Sequence, residues 1–387
     1  MIGQMLALQT LLSMTRYFAT VARGLEPYAA QELEELGASQ VTPGFCGVAF
    51  EGDRRLLYHV NLWARIPFRI LVQLDEFRCR DEGDLYRGVR RIDWGRYLTP
   101  EATFAVNATG KNASLNHTHF TALKVKNAII DQQREAWGER SSIDLDEPDV
   151  RINVHIRRDK CTLSLDSSGE SLHRRGYRPA MGIAPLKESL AAALIRMSGW
   201  QPEQAFFDPL CGSGTLPLEA SLVALKIAPG QFRDRFGFET WPDFDAKLLD
   251  QLIEKAEANQ LSELPAFIGG SDEKPDVVEQ ARSNARSSSV SRQVQFEVQT
   301  LASVEAPANS GVLMCNPPYG ERIGSPQELG EFYRQLGNVL KQRFKGWTAY
   351  VLSGNKELAK SIRLKSAERI PVNNGGLACQ LMKYELY

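Results

Sequence analysis

The chain has 387 residues, a formal net charge of −1, and 43% apolar and 24% charged residues. This length predicts two or three domains, and the composition is that of an ordinary soluble globular protein. A net charge near zero excludes a uniformly basic nucleic-acid-binding protein, so any such surface must come from local clusters of Lys and Arg. No apolar run approaches the ~20 residues of a membrane-spanning helix. The six cysteines lie far apart and form no Cys-x-x-Cys pair, which argues against a zinc site or a disulfide framework and indicates a cytoplasmic location.

The first half of the chain mixes strands and helices without a repeating βαβ order. Strands are predicted over 17–22, 47–52 and 103–110, helices over 25–37 and 119–138, and a helix that runs into a strand with the break at Pro67. The segment "VRINVHIRRDKCTLSLDSSG" predicts a β-hairpin whose turn lies near Arg158-Asp159-Lys160. This mixture predicts an α+β fold for the first half.

The second half alternates helical patterns with short apolar strands. Five strands are predicted in the segments "QAFFDP", "AFIGGSD", "VQFEVQT", "SGVLMCNPPY" and "WTAYVLSG". Such alternation is typical of a doubly wound, mostly parallel α/β sheet. The boundary between the two halves is expected near residues 178–185, where Gly and Pro accumulate.

The segment "FFDPLCGSGTLPLEA" predicts a ligand-binding loop between a buried strand and a helix. Gly212 and Gly214 let the backbone pass close to a ligand, and the following helix begins with unpaired N–H groups. The third glycine of a dinucleotide fingerprint is replaced by Pro217, and no Gly-Lys-Ser/Thr follows, so neither a dinucleotide loop nor a P-loop is indicated. Asp208, directly before the loop, disfavours a phosphate because like charges repel.

A second acid supports the same interpretation. Asp272 ends the next predicted strand, where the hydroxyls of a ribose can be bound. A ligand with an ammonium group and a ribose but no phosphate fits this pair of carboxylates. S-adenosylmethionine has these groups, and the sequence therefore predicts it as the cofactor. The alternative is an ordinary strand–turn–helix with a surface Asp.

The segment "NPPY" follows a later parallel strand, and its prolines cannot continue a sheet ladder. Because ligands bind beyond the carboxyl ends of such strands, Asn316 is expected near Asp208 and Asp272. The Asn316 side-chain oxygen and the Pro317 carbonyl can each accept one N–H of an exocyclic amino group, and Tyr319 can stack on the ring that carries it. Orientation of a weakly nucleophilic amine beside a methyl donor would then be the main catalytic contribution.

Three segments, "LHRRGYRPAMGIAPLKESLAAAL", "DPLCGSGTLPLEA" and "NPPYGERIG", together resemble the guanine-N2 RNA methyltransferases that carry a THUMP domain. Within that family the chain is most similar to the N-terminal half of the bifunctional bacterial enzymes that act on 23S rRNA. The resemblance implies an N-terminal extension with a ferredoxin-like region over 1–57 and a THUMP RNA-binding domain over 58–168. Residues 169–387 would then form a Rossmann-like class I methyltransferase domain.

The resemblance also implies roles for individual residues. The catalytic motif would be Asn316, Pro317, Pro318 and Tyr319. The predicted cofactor-binding residues are Asp208, Pro209, Cys211, Gly212, Gly214, Thr215, Asp272 and Thr300, with Pro185 and Lys187 from the segment that closes over the methionine end. Thr300 departs from the family, which often has an Asp there to contact the adenine amine.

Basic residues predict where RNA binds. Clusters lie along the hairpin, before the methyltransferase domain and on the THUMP-like helix; the predicted contacts are Arg157, Arg158, Lys160, Arg174, Arg175, Arg178, Lys124 and Lys126. The alternative for any such run is a solvated face. His117 and His119 lack a cluster of further metal ligands, and no metal site is predicted.

The predicted function is transfer of a methyl group to the 2-amino group of a guanosine in RNA, most of all 23S rRNA. Because the target base must leave its stack, free or partly assembled rRNA is the expected substrate, with a helicase as a further partner. Three alternatives stay open, since Asn-Pro-Pro-Tyr suits other planar amines and amides: a tRNA guanosine, a DNA adenine or protein glutamine, and a catalytically silent RNA-binding protein.

Overall fold

The computed structural model describes residues 14–178, 186–319 and 325–387. The chain divides into two compact units, and each unit is built from more than one stretch of sequence. The first unit contains the chain up to Val21 together with Ala30–Leu172 and Arg233–Leu252. The second contains Ala22–Ala29, His173–Phe232 and Ile253–Tyr387.

The first unit is built on one sheet that, in the described part of the chain, has eight strands in the order β2-β3-β1-β4-β8-β7-β5-β6. Most neighbours are antiparallel, while β5 runs parallel to both β6 and β7. The mixture of strands and hairpins agrees with the α+β expectation. The strands are β1 Thr15–Thr20, β2 Ser39–Gly44, β3 Gly47–Gly52, β4 Arg69–Arg78, β5 Thr103–Lys111, β6 Ser142–Ile143, β7 Val150–Arg157 and β8 Lys160–Asp166.

The helices of the first half begin and end where the sequence offers caps. Asp53 accepts the N–H of Leu56 at the start of one helix, and Gly138 adopts a left-handed conformation at the end of another. The helices are α1 Glu26–Glu35, α2 Arg54–Trp63, α3 Glu82–Val89 and α4 Thr118–Trp137. The sequence predicted α1, α2 and α4, whereas the short α3 and strand β2 were missed. The predicted boundary between residues 57 and 58 falls inside α2.

Residues 233–252 fold with the first unit, although they follow the predicted cofactor loop in sequence. The Phe238 ring stacks on the Tyr58 ring with centroids 4.1 Å apart. The Arg54 guanidinium donates to the Asp243 carboxylate, and the Tyr58 hydroxyl accepts the N–H of Asp245. A single break in sequence therefore does not separate the two units.

The second unit contains a sheet of seven strands, counted over the described residues, in the order β11-β10-β9-β12-β13-β15-β14. Strands β9 to β13 pair with one another in parallel. The C-terminal strand β15 pairs in antiparallel orientation with both β13 and β14. All five predicted strands are present; the C-terminal hairpin was not predicted. The strands are β9 Ala205–Asp208, β10 Ile268–Asp272, β11 Gln295–Val298, β12 Gly311–Cys315, β13 Trp347–Ser353, β14 Glu368–Asn374 and β15 Leu377–Glu385.

The central strands are buried along their length, which explains their uninterrupted apolar sequences. Helices lie between them in sequence and complete a doubly wound arrangement. The helices that follow α4 are α5 Glu188–Ser198, α6 Thr215–Ala224, α7 Ala246–Ala258, α8 Pro275–Ser287, α9 Pro326–Arg343 and α10 Lys356–Ser361. Residues 246–252 of α7 belong to the first unit. No helix in the described ranges is both long and apolar enough to cross a membrane.

Candidate active site

Three polar residues lie at the carboxyl ends of neighbouring strands in the second sheet. Strands β10, β9 and β12 are neighbours and parallel, so their carboxyl ends lie side by side. Asp272 ends β10, Asp208 ends β9, and Asn316 directly follows β12. The structure therefore brings together the residues that the sequence predicted to share one crevice.

Asp208 is a buried carboxylate with 2% of its surface exposed. Its Oδ1 accepts the N–H of Leu210 at 3.0 Å. Burial raises the pKa of Asp208 well above its ordinary value, and the nearby charge of Asp272 raises it further. A cationic group bound beside it would offset this cost, whereas a phosphate would increase it.

The loop after Asp208 requires glycine at two positions. Gly212 and Gly214 both have positive φ, at 55° and 84°. A Cβ on Gly214 would lie 2.8 Å from Cζ of Phe296, while a Cβ on Gly212 would meet no atom within 4 Å. Gly214 thus allows close packing against β11, and Gly212 leaves open space on the ligand side of the loop.

Asp272 fixes the loop from the neighbouring strand. Its Oδ2 accepts the N–H of Gly212 at 3.2 Å, and its Oδ1 accepts the N–H of Lys274 at 3.1 Å. Both carboxylate oxygens are thereby held in place by backbone donors. Because the side chain is half-buried, its remaining lone pairs can accept the two hydroxyls of a ribose.

Asn316 carries an acceptor that has no hydrogen-bond partner among the described residues. Its Oδ1 is buried, and no hydrogen bond to it is formed within the described part of the chain. Pro317 is buried beside it, and its ring fixes the backbone that presents the carbonyl group. A buried acceptor without a donor is unfavourable by roughly 1–3 kcal/mol, which a substrate N–H would recover.

Tyr319 is half-buried and tethered through its hydroxyl group. The hydroxyl oxygen accepts the side-chain N–H of Asn374 at 2.8 Å, and Cys379 Sγ lies 3.7 Å from it. The ring lies close to Gly354, where an added Cβ would be 2.9 Å from Cδ2 of the ring. Burial raises the pKa of Tyr319 to about 12, so its hydroxyl stays protonated at neutral pH.

The other predicted cofactor residues occupy different places around the loop. Cys211 and Thr215 are buried, and burial raises the pKa of the Cys211 thiol well above its ordinary value, so it is not a nucleophile. Thr300 is exposed after β11, and its hydroxyl lies 3.1 Å from that of Ser303. Lys187 is exposed at the start of α5. Pro209 is buried in the loop, whereas Pro185 lies outside the described residues.

Two arginines of the predicted RNA-binding set are buried and paired. Arg175 is 2% exposed, and its guanidinium lies against Glu219, which also accepts the Tyr177 hydroxyl at 2.8 Å. The side chain of Arg178 is 4% exposed and donates to Glu188 at 2.9 Å. A phosphate contact needs an accessible guanidinium, so the structure does not support that role for Arg175 or Arg178.

Arg178 instead connects the start of α5 to the glycine loop after β9. One terminal nitrogen donates to Glu188 and to the Leu186 carbonyl, and the other donates to the Ser213 hydroxyl of the glycine loop at 3.0 Å. Asn284 donates to the Ser213 carbonyl at 3.0 Å. Sequence reasoning missed Ser213 and Glu188 as supporting residues, since a charge pattern does not distinguish a buried arginine from an exposed one.

The remaining predicted RNA contacts lie on the surface or near it. Arg157, Arg158 and Arg174 are exposed. Lys160 is exposed and pairs with Glu76 at 2.7 Å, and Lys124 pairs with Glu82 at 2.8 Å. Lys126 is half-buried on α4. Apart from the two buried arginines, the set is therefore accessible, and part of its charge is already neutralised.

Comparison with known proteins places this site in a family. Residues 175–383 match the family described as RMKL-like, methyltransferase domain, which is more than half of the chain. Residues 79–166 match the THUMP domain, and residues 16–71 match the RlmL ferredoxin-like domain. The chain belongs to the RMKL-like methyltransferase family.

Curated relatives of this RMKL-like methyltransferase differ in length. It is 57% identical over 371 residues to "Putative RNA methyltransferase slr0064" of Synechocystis sp., covering 96% of this chain and 97% of that protein. It is 41% identical over 382 residues to "Ribosomal RNA large subunit methyltransferase K/L" of Syntrophotalea carbinolica, again covering 96% of this chain. The chain spans only 53% of that K/L protein.

Solved structures agree with the architecture. The structure described as "SMU.472, a putative methyltransferase complexed with SAH" has a TM-score of 0.87 and 31% identity, covering 97% of this chain and 98% of that one. TrmN from Thermus thermophilus, with a TM-score of 0.70 and 18% identity, shares the fold over 97% of this chain and 100% of that one. The predicted family and fold class are thereby confirmed.

The predicted cofactor, S-adenosylmethionine, is confirmed at the level of the RMKL-like methyltransferase family. The residues of this chain fit it, because a buried carboxylate at Asp208 suits a cationic group and a second carboxylate at Asp272 suits a ribose. The open space beside Gly212 leaves room for a ligand to approach the backbone.

Proposed function

We propose that this RMKL-like methyltransferase transfers a methyl group from S-adenosylmethionine to the exocyclic 2-amino group of a guanosine in RNA, most of all in large-subunit rRNA. The observation that carries the proposal is the buried Asn316 Oδ1 without a hydrogen-bond partner in the described ranges, at the strand end next to Asp208. The names of the curated relatives, an RNA methyltransferase and rRNA large subunit methyltransferases K/L, support RNA as the substrate.

Some side chains of the site bind the methyl donor, and others orient the amino group that receives the methyl. Asp208 and Asp272 hold S-adenosylmethionine, which supplies an electrophilic methyl group when bound. Asn316 Oδ1 and the Pro317 carbonyl each accept one N–H of the amino group, and this directs the nitrogen lone pair away from both acceptors. The Tyr319 ring supports the base, while its hydroxyl remains bonded to Asn374.

No residue of this site needs to act as a base before transfer. The Asn316 oxygen and the Pro317 carbonyl hold the amino hydrogens, and the surplus proton leaves to water after transfer. Positioning and removal of water are then the main sources of rate enhancement. The THUMP-matched residues 79–166 would bind the RNA around the target. A cytoplasmic location, where this RNA is found, is part of the proposal.

The proposal is tested with S-adenosylmethionine carrying a labelled methyl group and with free rRNA, tRNA and DNA as substrates. Nucleosides from each digest are separated and identified by mass spectrometry. Labelled N2-methylguanosine in rRNA is the expected product. Label in tRNA or in DNA adenine would replace the proposed substrate, and no label in any of the three nucleic acids would favour a silent RNA-binding protein.

Substitution of Asn316 by Ala is expected to lower the rate at least ~100-fold, because the amine loses its acceptor and its orientation. Binding of S-adenosylmethionine, measured by calorimetry, should stay within about twofold, since the proposal assigns the cofactor to Asp208 and Asp272 and the amine to Asn316. Asn259 is exposed directly after α7, and its side chain bonds only the Lys255 carbonyl in the described structure, which makes Asn259→Ala the matched control. Full activity of Asn316→Ala would show that the catalytic assignment is wrong.

A further inference from the structure

Four basic residues lie side by side at the ends of four neighbouring strands of the first unit. The strand register pairs Lys111 of β5 with Arg157 of β7, Arg157 with Lys160 of β8, and Lys160 with Arg78 of β4. We call these four residues the basic row. Neighbouring strands are ~4.8 Å apart, so the basic row extends for about 14 Å across the sheet.

All four residues of the basic row are exposed, and three of them form no ion pair with a carboxylate in the described part of the chain. Lys160 forms an ion pair with Glu76 at 2.7 Å. For Arg78, Lys111 and Arg157, no acidic group comes within ion-pair distance among the described residues. Arg80, two residues beyond Arg78, is bound to Asp84, and Lys124 to Glu82, so those charges are already compensated.

Placing like charges on adjacent strands is unfavourable in the absence of a partner. Like charges directly opposite each other on neighbouring strands destabilise a sheet. The sheet nevertheless keeps Lys111 beside Arg157 and Arg157 beside Lys160. A polyanion along the strand ends would remove this repulsion and make all four charges favourable.

The turn between β7 and β8 adds a fifth cation in a conformation that favours glycine. Arg157 pairs with Lys160, so the turn consists of Arg158 and Asp159 alone. Arg158 has a φ of +53°, a left-handed conformation that is unfavourable for residues other than glycine, asparagine or aspartate. The position therefore presents an exposed arginine at a local energetic cost, as functional residues often do.

The strand residues next to the basic row are polar and exposed. Thr109 and His155 are paired across β5 and β7, with the Thr109 hydroxyl 3.0 Å from His155 Nδ1. Asn107 is exposed one row further in, beside Asn153. Hydroxyl, imidazole and amide groups can bond the sugars and base edges of an RNA whose phosphates lie on the cations.

We propose that the basic row, Arg78, Lys111, Arg157 and Lys160, with Arg158 in the adjoining turn, binds the phosphodiester backbone of single-stranded RNA across the ends of β4, β8, β7 and β5. The inference rests on the proposed function, because it assumes an RNA substrate, and it specifies which surface holds that RNA. It adds Arg78 and Lys111, which the charge pattern of the sequence did not single out.

The test compares two triple variants that each remove three positive charges from the full chain. The first is Arg78→Gln/Lys111→Gln/Arg157→Gln. The matched control is Arg54→Gln/Arg87→Gln/Arg90→Gln, whose arginines belong to the same unit but are paired with Asp243, Asp84 and Glu135. Binding of a fluorescein-labelled oligouridylate is followed by fluorescence anisotropy over a series of salt concentrations.

Each phosphate contact adds ~0.7 to the slope of log affinity against log salt for single-stranded nucleic acid. The basic-row variant should therefore lower that slope by about 2 and weaken binding at least ~10-fold at low salt, while the control changes the slope by less than about 0.5. Equal effects of the two triple variants would overturn the basic row as the binding surface. If the wild-type chain binds no oligouridylate at any salt concentration, the RNA substrate of the proposed function fails as well.

The variant Arg158→Gly tests the role of the turn in RNA binding separately from its effect on the stability of the folded chain. Glycine relieves the left-handed strain, so the midpoint of urea unfolding should stay equal or rise. Loss of the cation should still weaken oligouridylate binding about threefold and lower the salt slope by ~0.7. Unchanged affinity in Arg158→Gly would exclude the turn from the binding surface.

Discussion

At the scale of single residues, the buried Asp208 carboxylate lowers the stability of the folded chain without cofactor and favours binding of a cationic ligand. Its carboxylate is buried without a positive partner in the described structure, and its pKa is raised well above the ordinary value near 3.8. A group with a raised folded-state pKa binds its proton more tightly in the folded chain, so it lowers stability as pH rises above the ordinary pKa. The destabilisation is complete once pH exceeds the raised value.

Asp208→Asn should therefore be more stable than the wild type in the absence of cofactor. At pH 7 to 8 we expect a gain of about 1 kcal/mol or more in the free energy of unfolding, because a change of one pKa unit corresponds to ~1.4 kcal/mol. The gain should shrink as pH falls toward 5. Urea unfolding across this pH range measures it, with Asp250→Asn, an exposed position on α7, as the control.

The same Asp208→Asn variant should lose S-adenosylmethionine binding at least ~10-fold, because a neutral amide cannot balance a cationic ligand. Calorimetric titration measures this loss. A variant that is more stable but binds the cofactor normally would remove Asp208 from the cofactor site.

Tyr319 contributes its ring rather than its hydroxyl. The hydroxyl is bonded to Asn374, and its pKa of about 12 excludes a role as a base at neutral pH. Tyr319→Phe and Asn374→Ala should each lower the methylation rate roughly fivefold, the value of one hydrogen bond of ~1 kcal/mol. Affinity for S-adenosylmethionine should not change in either variant.

The double variant Tyr319→Phe/Asn374→Ala should be no slower than either single variant, because both remove the same bond. Tyr384→Phe serves as the control, since Tyr384 is buried but its hydroxyl bonds only Met382 Sδ in the described structure. Additive losses in the double variant would argue that Asn374 and Tyr319 act separately.

Arg178 illustrates how far a charge pattern predicts a role. In sequence it belongs to a basic run, yet in the structure its side chain is buried between Glu188 and Ser213. Arg178→Lys keeps the charge but loses the planar fork. We expect about tenfold weaker binding of S-adenosylmethionine and unchanged binding of oligouridylate, with the exposed Arg174→Lys as the control. Weaker RNA binding with intact cofactor binding would restore the predicted phosphate contact.

At the scale of elements, the sequence predicts best where apolar runs end at residues with fixed geometry. Strands β9, β10 and β12 were predicted together with the side chains at their ends, since a polar residue, Asp208, Asp272 or Asn316, closes each short strand segment. The hairpin of β14 and β15 was missed because β14 is an edge strand, mostly polar and interrupted by Pro371. Without it, the partner of the Tyr319 hydroxyl could not be predicted.

Cross-strand neighbours also escape prediction from one sequence. The sequence places Arg157, Arg158 and Lys160 in one turn, but Lys111 and Arg78 are 46 and 79 residues from Arg157. Only the register of β5 with β7 and of β4 with β8 brings them together. Counting Lys and Arg along the sequence therefore cannot detect a cluster that forms only between neighbouring strands.

At the scale of the whole molecule, the two fold classes were predicted, but the assignment of residues to the two units was not. Residues 233–252 follow the cofactor loop in sequence and fold with the first unit. This segment contains four aromatic residues, Phe236, Phe238, Trp241 and Phe244, which predict that it packs into a hydrophobic core. They do not indicate which of the two units supplies that core. Long-range packing decides that choice, and local propensity carries no information about it.

The return of residues 233–252 to the first unit has a consequence during synthesis. Chains emerge from the ribosome from the N-terminus onward, and domains generally fold as units in that order. Here the first unit lacks the Phe238 ring beneath Tyr58 and the Asp243 partner of Arg54 until Leu252 has been made. The RNA-binding half of this enzyme therefore cannot mature before the glycine loop of its catalytic half has already been translated.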